Sequence, residues 1–202
     1  MPMNAQQFRQ SVLRFSSLDA LLDEVAEFAL PDAWIVAGCL TQTIWNLQTG
    51  HAHGYGIGDY DVFYFDPDLS WEAEDRVIVR MRPVSERLGL AVEVRNQARV
   101  HLWYTTKHGT SYPSLSRSTD GIDHFLTRCT QIGIRRTRSG DDIYAPFDFD
   151  DLEQMIVRPN TTANFSASAY QAKAARWKAL WPELTVLPPP EAMIAQTEGS
   201  MS

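Results

Sequence analysis

Hydrophobic positions fall into two rhythms along this chain. Leu18, Leu21, Leu22, Val25 and Ala29 recur at helical spacing, so a helix is predicted behind Ser16 or Ser17 as cap, with Pro31 as its stop. Trp34-Ile35-Val36-Ala37 reads as a short buried strand, followed by a helix over 40–48 and a second strand over 60–65. Residues 71–88 form a helical pattern with Val77, Met81, Val84 and Leu88 on one face and a kink at Pro83. Period-two alternation then predicts a strand over 90–95, with Val92 and Val94 apolar and Glu93 and Arg95 polar.

Beyond an aromatic segment at Trp103 and Tyr104, residues 105–118 read as a Ser/Thr/Gly loop around Tyr112-Pro113, long enough for a functional lid. A helix near 119–128, strands over 130–137 and 142–145, and helices over 148–157 and 167–181 complete the pattern. Pro188-Pro189-Pro190 and the tail to Ser202 read as disordered. The fold class expected is α/β (α+β), a short mixed sheet flanked by helices. We expect one domain over 1–187, its core about 16–145 and its helical part 146–187.

The densest chemical signal lies in Gly58-Asp59-Tyr60-Asp61-Val62-Phe63-Tyr64-Phe65-Asp66. Side chains alternate along a strand, so Asp59 and Asp61 project from one face, roughly 7 Å apart along the chain. Two neighbouring anions at a strand's start are unfavourable without a cation between them. Magnesium takes carboxylate oxygens and leaves room for phosphate oxygens, which points to phosphoryl or nucleotidyl transfer. The plain alternative is a solvated strand end.

Two further segments support the chemical reading. Gly38 stands between a strand and a helix, where a phosphate approaches free backbone N–H groups and the helix dipole; tight packing alone is the other use of such a glycine. Glu93 lies on the polar face of its strand, where it stands opposite the aspartates if the strands are neighbours. Its alternative role is a surface pair with Arg95, worth little energy.

Apolar strand, Gly turn, helix, D-x-D strand and a third acid on a later strand together resemble the polymerase-β-like nucleotidyltransferase superfamily. Trp71-Glu72-Ala73-Glu74-Asp75, Val92-Glu93-Val94-Arg95-Asn96-Gln97-Ala98-Arg99-Val100-His101-Leu102-Trp103-Tyr104, Tyr144-Ala145-Pro146-Phe147 and Val157-Arg158-Pro159-Asn160 are similar to a bacterial branch of it, over roughly residues 15–185. The resemblance implies a nucleotidyltransferase fold with C-terminal helical additions. It implies transfer of a nucleoside monophosphate from an NTP, with two Mg2+ ions on Asp59, Asp61 and Glu93. Gly38, Cys39 and Arg95 would serve the triphosphate, and the acceptor would be a small molecule, a protein or RNA. A catalytically inactive nucleotide- or metabolite-binding module with the same fold is the alternative. The chain departs from the superfamily in having Gly38-Cys39 rather than Gly followed by Gly or Ser. It also has twenty residues between Gly38 and Asp59.

Composition changes this picture little. The chain has 202 residues, enough for a sizeable core, and its 44% hydrophobic content is ordinary. No apolar run suits a bilayer and the start lacks a signal pattern, so a cytoplasmic protein without a membrane partner is expected. Cys39 and Cys129 do not make a disulfide framework. A net charge of −7 disfavours broad DNA or RNA binding.

Arg128, Arg135, Arg136 and Arg138 form a local basic cluster, read first as a solvated edge and second as a phosphate clamp. His51 and His53 sit in a Gly-rich insertion. Tyr55 occupies the position where a zinc hydrolase needs Asp, so they read as local turn formers. His101 and Trp45, Trp71 and Trp103 read as packed core residues.

Overall fold

The apolar run behind Asp59 builds the second strand of a five-stranded sheet. β1 (Trp34–Val36), β2 (Tyr60–Tyr64), β3 (Val92–Asn96), β4 (Gly133–Thr137) and β5 (Gly140–Tyr144) pair in the order β3-β2-β1-β4-β5. The computed structural model describes residues 2–191. β2 and β3 run parallel and the other neighbours antiparallel, which makes the sheet mixed, as the superfamily resemblance implies. Helices α1 (Ala5–Val12), α2 (Ser16–Glu27), α3 (Gly38–Thr49) and α4 (Trp71–Leu88) are followed by α5 (Val100–His108), α6 (Ser118–Asp123), α7 (Asp150–Glu153) and α8 (Ala167–Leu180). Among the described residues no helix is long and apolar enough to cross a membrane.

Strand alternation divides the sheet into two unlike faces. Ile35, Val62, Val94 and Ile134 point one way and pack with Leu18, Leu22, Leu40 and Met81 in the main core. Trp34, Val36 and Phe63 point the other way, into a smaller cluster with Ile122 of α6. Asp61, Glu93 and Arg95 share that second face by register, since Asp61 pairs with Glu93 and Phe63 with Arg95. The candidate chemistry therefore stands on the sheet face that the main core leaves free.

α4 makes the crossover that parallel pairing of β2 and β3 requires. Ser70 caps it by accepting from the Ala73 N–H, and Gly89 closes it in the left-handed region. Glu74 of α4 is buried, pairs with Arg99 and accepts from the Asn96 N–H at 2.9 Å. Asn96 in turn accepts from the Asp66 N–H at 3.0 Å and donates to the Asp66 carbonyl at 2.9 Å. This network ties the exits of β2 and β3 together.

α8 clamps the back of α3. Trp45 is fully buried between Trp177 and Trp181, each 5.4 Å away in edge-on geometry, and Trp181 donates to Asn46 at 3.0 Å. Ile156–Val157 (β6) and Thr185–Val186 (β7) form a small parallel pair beside it.

Several elements differ from the pattern read along the chain. Ser16 is the first residue of α2 rather than its cap; Phe15 holds the cap position without a side-chain bond. α1, which apolar spacing does not reveal, is started by a reciprocal cap between Asn4 and Gln7. Trp103 and Tyr104 lie on α5, so the loop behind them is shortened to 109–117. α6 stops at Asp123 because the next carbonyls are taken by side chains. Asp123 accepts from Gln131 and Asn160, Phe125 from Asn160, and His124 from Asn164. The expected helix over 148–157 reduces to α7, since Met155 takes a left-handed φ of 54° and β-branched Ile156 and Val157 enter β6.

Trp71 is 57% exposed, not core, with Arg99 over its ring. Two of the four clustered arginines are held in ion pairs rather than open to a phosphate. Arg136 is committed to Asp19, Asp23 and Asp141, Arg135 to Asp32 and Asp142, and Arg128 lies over Phe147. The histidine insertion is tied down locally: His53 bonds Ser17 at 2.6 Å and His51 stacks on Tyr55. Of the expected disordered tail, 192–202 lies outside the described residues.

Removing the Trp45 ring leaves a void that its neighbours cannot fill. Trp45→Ala is expected to cost about 3–5 kcal/mol in chemical denaturation, the range for large buried aromatics. A loss below about 1 kcal/mol would show that α8 does not depend on this contact.

Candidate active site

The turn between β1 and α3 is strained. Ala37 caps α3 with φ 64° and ψ −133°, a region that side chains avoid and that glycine favours. Its carbonyl turns back to accept from Leu40 and Thr41. The Gly38 and Cys39 N–H groups head the helix, without an acceptor among the described residues. A Cβ at Gly38 would come within 2.8 Å of the Gln42 amide, so the backbone lies bare against that side chain.

Gln42 escaped the sequence reading. It follows Gly38 by one helical turn, is 5% exposed, and its side-chain oxygen has no hydrogen-bond partner among the described residues. Cys39 does not face the turn with its thiol. The side chain is 1% exposed in the main core, donates to the Val36 carbonyl at 3.3 Å, and burial pushes its pKa far up. What Cys39 presents at the turn is its backbone N–H.

Asp59 sits exposed just before β2, and Asp61 follows on the strand. Register places Val36 on one side of Asp61 and Glu93 on the other. Burial foremost, then Asp59 and Glu93, push the Asp61 carboxyl from its ordinary 3.8 up to about 7. Lys173 and Arg95 oppose that rise without cancelling it.

Lys173 is the second residue that sequence spacing did not reveal. It stands on α8, far along the chain from the acids. Burial lowers its pKa, while Asp61 and, more weakly, Asp59 favour its charge. Arg95 donates to Glu93 at 3.2 Å. The structure thus brings Asp59, Asp61, Glu93 and Arg95 together, and adds Lys173 to them.

Among the described residues no three His, Cys, Asp or Glu side chains close into a ready metal-ligand set. The donors still suit a hard divalent ion. They are carboxylate oxygens, one of them desolvated and crowded by its own kind, beside a turn with bare N–H groups. Arg95 and Lys173 meanwhile hold part of the negative charge.

The five-stranded mixed sheet flanked by helices is a nucleotidyltransferase fold, with Asp59 just before β2, Asp61 on it and Glu93 on β3. Residues 23–186 match the model of a nucleotidyltransferase family, and the chain belongs to that family. It is similar in fold to an NMR structure described as revealing a CCA-adding enzyme head domain. The TM-score is 0.74 at 24% identity, over 92% of this chain and 97% of that one. None of the curated proteins compared with the chain matches it.

Two expectations follow. The folded Asp61 carboxyl keeps its proton to about pH 7, whereas the unfolded one releases it near 3.8. Its contribution to stability is therefore complete at low pH and lost as pH rises through 7. In chelator, wild type should lose melting temperature from about pH 4 to 8 more steeply than Asp61→Asn. Parallel curves would show that Asp61 is an ordinary surface acid.

Ala37→Gly relieves backbone strain of about 1–3 kcal/mol and adds a chain-entropy cost of about 0.5–1 kcal/mol. The variant should be as stable as wild type or more so by denaturant unfolding. A clear loss would mean that the Ala37 methyl matters more than its backbone angle.

Proposed function

We propose that the protein is a magnesium-dependent nucleotidyltransferase moving a nucleoside monophosphate from an NTP to an acceptor. The observation that carries this reading is Asp61: a desolvated carboxylate held in register with Glu93 and next to Asp59, on the open sheet face. Asp59 and Asp61 would hold two ions, with Glu93 binding the one nearer the acceptor. Bound there, the ions would stabilise the entering and leaving oxygens of an in-line displacement.

The chain's own groups supply the rest. Gly38 and Cys39 direct backbone N–H groups at the triphosphate, where the start of α3 adds its dipole. Arg95 neutralises phosphate charge, and must exchange its bond to Glu93 for one to the substrate. Released from Arg95, Glu93 helps draw the proton from the attacking hydroxyl or amine. Lys173 balances the charge of Asp61 before substrate arrives. We place this activity in the cytoplasm, where NTP and magnesium are supplied, with one unit over 1–187 carrying it.

The Glu93–Arg95 pair also suits the second reading, a module that binds nucleotide without turnover, because it occupies the third acid. Pyrophosphate release separates the two. Asp59→Asn, Asp61→Asn and Glu93→Gln should each lower NTP-dependent pyrophosphate release by roughly a hundredfold or more, the scale of losing one fixed electrostatic stabiliser. Each should keep its fold by circular dichroism. Tight NTP binding with no pyrophosphate from wild type would favour the binding module.

A further inference from the structure

The open sheet face continues past the acids. Phe63 follows Asp61 on β2 and Arg95 follows Glu93 on β3, paired with each other in register. They lie one pleat repeat further on, about 7 Å. A cavity of about 160 Å³ begins there, under the loop that follows α5. Gly121 lies close against the cavity wall: a Cβ there would collide with the Gln97 side-chain oxygen and lie 3.2 Å from the Phe63 ring. Asp32 holds α6 in place by accepting from the Ser118 N–H at 2.7 Å.

The walls are flat rings. Tyr104 and Tyr112 lie 4.3 Å apart between centroids, and Tyr112 and His124 5.0 Å, with Phe63, Phe125 and Trp103 around them. Arg95 and Lys173 line the cavity as well, and among the described residues no carboxylate does. Aromatic faces attract cations as well as planar rings, but Arg95 and Lys173 repel a cationic ligand here. The lining suits an uncharged planar ring joined to an anionic group.

Its polar atoms have defined roles. His124 Nδ1 lies 2.7 Å from the Asp120 carbonyl, which only accepts, so Nδ1 carries a proton and donates there, leaving Nε2 for a ligand. The Tyr104 hydroxyl accepts from Asn164 at 3.2 Å and keeps its own proton for another partner.

We propose that this cavity receives the base of the nucleoside triphosphate. Tyr112 covers the ring, and His124 Nε2 accepts a hydrogen bond from a base N–H. The assignment rests on the nucleotidyltransferase reading, with the phosphates at the Gly38 turn and the nucleoside running along β2 and β3. Tyr112 would then carry affinity, since stacking on an aromatic side chain favours any base. His124 would carry preference among bases.

Titration calorimetry with magnesium, using the four NTPs and inorganic triphosphate as probes, tests this. Wild type should bind its preferred NTP at least about tenfold more tightly than inorganic triphosphate. Tyr112→Ala should remove that advantage, Tyr112→Phe should restore it, and inorganic triphosphate should bind all three alike. His124→Phe should level the ranking of the four NTPs. Equal affinity of wild type for NTP and inorganic triphosphate would overturn the base pocket and leave the triphosphate site standing. Equal losses for both probes in Tyr112→Ala, or failure of Tyr112→Phe to restore NTP binding, would also overturn it. Absence of binding by either probe would overturn the nucleotidyltransferase reading together with the pocket.

Discussion

Crowding of negative charge around Asp61 is the constraint on which the account turns. A carboxylate that loses water and faces two more acids favours its protonated form unless cations approach. Burial acts first and Asp59 next, and parallel pairing of β2 with β3 adds to them by setting Glu93 directly beside Asp61. Two cations answer it: Arg95 from the same strand as Glu93, and Lys173 from α8. The packing of α8 therefore has a consequence at the site. The Trp45, Trp177 and Trp181 cluster that anchors this helix also fixes where the Lys173 stem begins.

Strain and openness meet at the neighbouring turn. Ala37 occupies a conformation that glycine would adopt more easily, and the residue after it is the bare Gly38. Together they leave the first N–H groups of α3 free beside the acids. The Cys39 thiol points into the core, so the departure from the superfamily's Gly or Ser changes the packing beneath the turn and leaves its backbone donors in place. Likewise, the long insertion before Asp59 is absorbed by contacts of His51, His53 and Tyr55 away from the acids.

Much of this was legible in the chain because it depends on local periodicity. Val92 and Val94 alternating with Glu93 and Arg95 gives both the strand and its polar face, and Ser70 with Gly89 bounds α4 at the ends the pattern implies. What stayed hidden depends on partners remote in sequence. Lys173 reaches the site only through tertiary packing. Gln42 looks like any helix residue until Gly38 lies against it, and α6 ends early because Asn160 and Asn164 claim its following carbonyls. Aspartates remote in sequence make Arg136 of the basic cluster, read first as a solvated edge, an ion-pair brace between α2 and the sheet. Trp71 misled for a similar reason: Arg99 covers one face of a ring that the core never reaches.

If the carboxylates exist to receive a divalent cation, proton and cation must compete for Asp61. Magnesium titrated into the protein at about pH 5 and again at about pH 8, followed by melting temperature, measures that competition directly. The account predicts a clear stabilisation at the higher pH, little at the lower, and none at either in Asp61→Asn. Equal shifts at both values, or an undiminished shift in the variant, would contradict it.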